Sequence, residues 1–271
     1  MSKVWLVTGA SRGLGREIAR AALEAGDTVM ATARSGDDVR NSLEGEHDRL
    51  HTCALDITDA DAARAVGAET VERLGAIDVL VNNAGYAELG FFETITDAAV
   101  RRQFEVNLFG TMNVARAVAP HMRKRRSGLI VTISSVSGLV SNAGGAVYSA
   151  SKFAIEGWME GFSQELAPLG VRSLMVEPGM LRTEFMDQSS ARFGTIDIPD
   201  YAEAVAQYRA FVDGANGRQP GDPKRLAARI VALASQEDAP MRLVFGDDAR
   251  EWAGAKLDQL REEVVQSADG G

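Results

Sequence analysis

Strand-like apolar runs at about residues 3–8, 28–33, 50–55, 77–82, 129–134, 171–177 and 242–246 alternate with helical segments along the chain. That alternation constrains the fold more than any other feature. Strands joined through a helix run parallel, because a crossover of that length carries the chain back to the same end of the sheet. A parallel sheet in turn needs helices over both faces. Right-handed crossovers then give an α/β, Rossmann-like doubly wound sheet of about seven strands. Ligands bind such a sheet outside the carboxyl ends of the strands, beside the point where strand order reverses. Across 271 residues there is no linker-like block and no internal repeat, so 1–271 reads as one domain.

The first strand runs into Thr8-Gly9-Ala10-Ser11-Arg12-Gly13-Leu14-Gly15, which opens an Ala-rich helical stretch ending near Gly26. Strand, Gly-rich turn and helix make the setting in which backbone N–H groups cradle a dinucleotide pyrophosphate. The glycines follow a TGxxxGxG spacing; taken singly, they are ordinary turn residues. Gly9, Asn82, Ser135 and Pro178 all fall at strand ends, so four loops converge on one crevice. The second strand closes with Ala31-Thr32-Ala33-Arg34. Folds that prefer NAD place a carboxylate there for the ribose 2′-hydroxyl, whereas an arginine accommodates the 2′-phosphate of NADP. Ala33 stands at the acidic position, and Arg34 and Arg12 can both reach a phosphate. The expected cofactor is NADP(H), with NADPH favoured over NADH; the alternative is that both arginines are solvated surface groups.

Tyr148 and Lys152 lie four positions apart in a helical stretch. A helix turns about 100° and rises ~1.5 Å per residue, which puts both side chains on one face. An ammonium held that close can stabilise a tyrosinate and let the phenol work as general acid or base. Without further context, such a pair is an ordinary aromatic beside a solvated charge.

In order and spacing, the Gly9 to Gly15 turn, Asp56, Asn82-Asn83-Ala84-Gly85, Asn107, Ser134-Ser135, the Tyr148/Lys152 pair and Pro178-Gly179-Met180-Leu181-Arg182-Thr183 resemble the short-chain dehydrogenase/reductase family. The resemblance is to its compact single-domain branch and covers about residues 3–246. It implies Asn107, Ser135, Tyr148 and Lys152 as catalytic residues. It also implies a cofactor site of Gly9, Ser11, Arg12, Gly13, Leu14, Gly15, Arg34, Asp56, Ile57, Asn83, Ala84, Gly85, Tyr148, Lys152, Pro178, Gly179 and Thr183. Asp56 would contact adenine, Asn83 to Gly85 would line the far side of the cofactor, and Thr183 would hold the carboxamide. Ser135 would bond the substrate oxygen, and Tyr148 would give or take its proton. Lys152 would lower the phenol's pKa and bind the nicotinamide ribose, while Asn107 would hold a water of the proton relay. The implied reaction interconverts a ketone or aldehyde and an alcohol by direct hydride transfer. The alternative is a catalytically silent dinucleotide-binding sensor or interaction protein on the same fold. A nucleotide-sugar epimerase or dehydratase is disfavoured, since such relatives usually carry a TGxxGxxG turn. The family also implies a homodimer or homotetramer, paired through the Tyr148 and Asn107 helices.

A net charge of −9 argues against a nucleic-acid or anionic-membrane partner. The one basic run, Arg123 to Arg126, ends a helix, where cations complement the macrodipole. Cys53 has no second cysteine to pair with, and its strand setting predicts a buried core thiol. His47, His51 and His121 are scattered without ligand spacing, so no metal site is expected. The chain shows no leader pattern and no apolar stretch near ~20 residues, which predicts a cytoplasmic protein that does not span a membrane. Residues 184–221, with Phe185, Met186, Phe193, Tyr201, Tyr208 and Phe211, read as a lid over a small apolar carbonyl or alcohol substrate. Gly194, Gly214, Gly217 and Gly221 offer that lid hinges. Beyond the last strand, 247–271 read as an amphipathic helical extension around Trp252, Leu257, Leu260 and Val264.

Overall fold

A computed structural model describes residues 2–43 and 48–268. In chain order its main elements are β1 (Val4–Thr8), α1 (Gly13–Glu24), β2 (Thr28–Ala33), α2 (Gly36–Ser42), β3 (Leu50–Ala54) and α3 (Ala60–Leu74). They continue as β4 (Val79–Asn82), β5 (Ala87–Leu89), α4 (Asp97–Phe104), α5 (Thr111–Arg125), β6 (Gly128–Ile133) and α6 (Ala146–Leu166). The last third adds β7 (Val171–Pro178), β8 (Ala191–Phe193), α7 (Ala202–Ala215), α8 (Pro223–Ala234), β9 (Arg242–Phe245) and α9 (Asp247–Ala268).

The main sheet has seven parallel strands in the order β3-β2-β1-β4-β6-β7-β9. Strand order reverses between β1 and β4, which opens the expected crevice at their carboxyl ends. Alternation along each strand feeds two cores. Trp5, Val7, Val79, Val81, Leu129 and Val131 face α1 and α8, while Leu6, Leu80, Ile130 and Met175 face α3, α5 and α6. Burying each such aliphatic side chain contributes roughly 1.5–3 kcal/mol, so the sheet's centre is a stiff base for the loops above it. Local signals set the helix ends. Asp59 caps α3, Gly75 in the left-handed region ends it, and Asp222 followed by Pro223 starts α8.

Several expectations change in detail. Cys53 is only half-buried, because β3 is an edge strand and its thiol lies beside Glu69. A small parallel sheet, β5 with β8, was not foreseen; three-residue strands carry too little alternation to be read. The extension does form α9, but only its first turns pack: Ala249 and Ala253 are buried beside Trp252 and Val136, whereas Leu257, Leu260 and Val264 are exposed. His47 lies outside the described residues, and no group of metal-ligating side chains occurs among the described ones. No described helix is long and apolar enough to cross a membrane.

Candidate active site

The crevice is built first from backbone. Gly9 and Gly13 have φ of 66° and 55°, a region other residues rarely adopt. A Cβ at Gly15 would overlap the Asn83 amide and the Gly9 carbonyl. Helix α1 starts at Arg12 with no side-chain cap and no acidic residue in its first turn, whereas Ser35, Asp59, Thr96 and Asp222 cap α2, α3, α4 and α8. An uncapped helix start behind a glycine turn fits the pyrophosphate of a dinucleotide. Two implied cofactor residues turn out to be mainly structural. Leu14 and Ile57 point into the core, leaving only their backbone for a ligand.

Asn83 is engaged differently from what was expected. Its Nδ2 donates to the carbonyls of Thr8 and Gly9 at 3.0 and 3.1 Å, and its backbone N–H donates to the Thr8 hydroxyl at 3.0 Å. The side chain therefore staples β1 to β4, and the residues left to line the crevice are Ala84 and Gly85. Asp56 is exposed at the end of β3. It accepts from the Thr58 hydroxyl and N–H at 2.7 and 3.0 Å, and these bonds hold its carboxyl below its ordinary range.

Ser135 follows β6, and Tyr148 and Lys152 stand on α6. The Lys152 ammonium donates to the Ile133 carbonyl at 2.8 Å and lies 5.8 Å from the centre of the Tyr148 ring. Burial pushes the phenol up to about 12, opposed by its hydrogen bond with Ser135. Burial also brings Lys152 down to about 8, opposed by the charge of Glu156. Burial of the phenol, with the ammonium already bonded to a carbonyl, acts against the depression by Lys152 that the resemblance implies.

Asn107 lies in a π-helical turn, Glu105–Gly110, between α4 and α5. Its Oδ1 accepts from the Tyr86 N–H at 3.1 Å, and its Nδ2 donates to the Tyr86 carbonyl and the Ser151 hydroxyl at 3.0 and 3.2 Å. Both side-chain donors are engaged by protein, so the amide braces Tyr86 and α6, and the expected water contact falls to its remaining acceptor capacity.

The Pro178 to Thr183 turn closes the crevice, with Thr183 packed against Gly13. It is held by a residue the sequence reading missed: the Asp248 carboxylate at the start of α9 accepts from the Met180 N–H at 2.8 Å. The sole sequence signal was an acidic pair directly after the last strand.

The lid is more firmly attached than expected. Gly194 donates to the Leu89 carbonyl at 2.9 Å and packs tightly on Thr94, while Gly221 donates to the Met180 carbonyl at 3.0 Å. Both are anchors. Gly214 and Gly217 have open space around them. Tyr208 lies against Phe193 and Phe211 at 6.3 and 6.4 Å, and Phe185 lies 5.8 Å from Tyr148 of α6. Arg12 also turns toward the lid, bonding the Ser189 and Ser190 hydroxyls at 2.7 and 2.8 Å. Arg34, by contrast, is exposed, has no ion pair among the described residues, and lies near enough to Asp56 to act on its charge.

Comparison with known proteins follows this geometry. The family model described as short chain dehydrogenase matches residues 3–193. The chain is 35% identical over 261 residues to the Oxidoreductase BOA17 of Botryotinia fuckeliana, covering 96% of this chain and 94% of that protein. A short-chain dehydrogenase from Streptomyces avermitilis superposes with a TM-score of 0.91 at 42% identity, over 99% of this chain and 97% of the other. A metagenomic short-chain oxidoreductase in complex with NADP superposes with a TM-score of 0.71 at 29% identity, over 90% and 97% of the two chains.

Proposed function

The chain belongs to the short-chain dehydrogenase/reductase family of oxidoreductases, and from that premise we propose that it interconverts a ketone or aldehyde and an alcohol with NADP(H), Tyr148 being the general acid or base. The observation that carries this reading is the meeting of Ser135, Tyr148 and Lys152 at the carboxyl end of β6, the strand next to β4, on the same sheet edge as the glycine turn after β1. When bound, the nicotinamide supplies or takes the hydride. A phenol raised to about 12 stays protonated through the neutral range, which suits Tyr148 to donate a proton to a carbonyl oxygen during reduction. Ser135, which acts on that phenol, stabilises the charge developing on the same oxygen. Lys152 supplies positive charge behind both and would bond the nicotinamide ribose of a bound cofactor.

Arg34 supports NADPH over NADH, since an exposed guanidinium with no ion pair among the described residues matches a 2′-phosphate. The metagenomic relative solved with NADP is consistent with it. The Phe185, Phe193, Tyr208 and Phe211 cluster favours a small apolar substrate. The reading includes a homodimer paired through α6 and the Asn107 turn, because Phe109 and Phe153 are 49% and 44% exposed there. The test is NADPH oxidation with a panel of ketones and diketones, alongside light scattering at micromolar concentration. Turnover abolished by Tyr148→Phe supports the reading; cofactor binding without turnover of any carbonyl would instead indicate a silent sensor.

A further inference from the structure

One helical turn beyond Lys152, Glu156 meets Glu177 of β7 at a single guanidinium. Nη1 of Arg242 on β9 donates to both carboxylates, to Glu177 Oε1 at 2.8 Å and to Glu156 Oε2, while its Nη2 donates to Glu160 at 3.0 Å. The Glu177 side chain is wholly buried and that of Glu156 nearly so. Each keeps one buried oxygen, Glu156 Oε1 and Glu177 Oε2, with no hydrogen-bond partner among the described residues. The Ser134 hydroxyl is likewise unpartnered, and a Cβ built on Gly138 would come within 3.2 Å of both that hydroxyl and Glu156 Oε1. The charged groups facing the pair are Arg242 from β9 and Glu160 and Lys152 from α6, with the Ser134 hydroxyl at the end of β6. Two buried carboxylates on one arginine nitrogen leave a surplus negative charge and two bare lone-pair sites, and a single proton between them relieves both.

We propose that Glu156 and Glu177 hold one proton between them, and that Glu156, as a positioning residue, uses this titrating pair to keep Lys152 charged. The inference rests on the Tyr148–Lys152 reading above. Below neutrality the pair carries the proton and Lys152 needs no help to stay an ammonium. As pH rises, that proton leaves to solvent, the pair gains a full negative charge, and the added charge holds the proton on Lys152 against burial. The direction of both shifts agrees: burial and Glu156 raise Glu177 to about 7, and Glu156 opposes the fall of Lys152 to about 8.

The test pairs pH–rate profiles with infrared difference titration of the cofactor-free protein. The profiles are taken on the ketone that the parent reduces fastest. Glu156→Gln should move the basic limb of the kcat profile to lower pH by roughly one unit, tenfold in the proton equilibrium. Glu177→Gln should remove the inflection near pH 7. In the parent, a protonated-carboxyl band should vanish as pH passes about 7 and be absent from both variants. A parent without that band overturns the proposal even if Glu156→Gln fails to fold, and so do variant profiles shaped like the parent's. If Tyr148→Phe and Lys152→Ala keep full activity, it is the catalytic reading that fails; if they lose it while the glutamate variants titrate like the parent, only the carboxyl pair fails.

Discussion

The two sides of the crevice are held in different ways. On the side of the glycine turn, β4 is fully buried and β1 is buried beyond Val4, the Thr8 hydroxyl and Asn83 amide tie their ends together, and Gly15 admits no side chain. Across residues 184–221, two three-residue strands and a stack of aromatics hold a helix, α7, in which Val212 is the one buried residue. Close-packed backbone resists change; side-chain stacking on an exposed helix tolerates it. One wall is therefore suited to an invariant ligand and the other to a variable one, and α6, with Tyr148 and Lys152, lies between them.

The largest test bears on that shared helix. Tyr148→Phe should lower turnover by ~10²–10⁴-fold with NADPH affinity nearly intact, since general acid–base contributions are of that size. Steady-state kinetics with cofactor titration checks it; a loss within about tenfold would sink the assignment. Next, Arg34→Leu should weaken NADPH but spare NADH by ~10- to 100-fold, the worth of a charge-assisted hydrogen bond. Equal losses for the two cofactors would make Arg34 a structural residue and leave the 2′-phosphate to Arg12.

Smaller effects probe the softer wall. Phe193→Ala and Tyr208→Ala should change kcat/KM ratios between bulky and small ketones by about tenfold, the scale of apolar pocket contacts, without changing NADPH affinity. Hydrogen exchange with and without NADP⁺ should leave residues 190–196 unchanged, because β8 is hydrogen-bonded to β5, and alter protection near Gly214 and Gly217. Uniform change across the lid would dissolve the distinction between its anchored and free halves.

The least effect concerns stability. Glu177 is raised from 4.5 to about 7 in the fold, so its contribution is fully present below about 4.5 and is lost as pH rises through about 7. Chemical denaturation from pH 4.5 to 8 should show the parent losing stability relative to Glu177→Gln over that window. Parallel curves would mean that Arg242 alone neutralises the buried carboxylate.

Much of this molecule is legible in its sequence. The period of the strands and helices, the glycine turn and the residues at strand ends are local signals, and they located the sheet, the crevice and the Ser135, Tyr148 and Lys152 positions. Orientation was not legible in the same way. Asn83 and Leu14 carry a cofactor pattern yet turn toward the fold, and Arg12 turns toward the lid, because a side chain's partners are set by which loops meet in space. The same holds for pairs distant in sequence: Asp248 with Met180, β5 with β8, and Arg242 with Glu156 and Glu177. The sequence by itself determined the sheet and the strand ends at which Ser135 and the glycine turn stand, since periodicity and turn chemistry act between near neighbours. Only the tertiary structure decided which polar groups are buried together and hence where their protons lie, because desolvation depends on packing from every side at once.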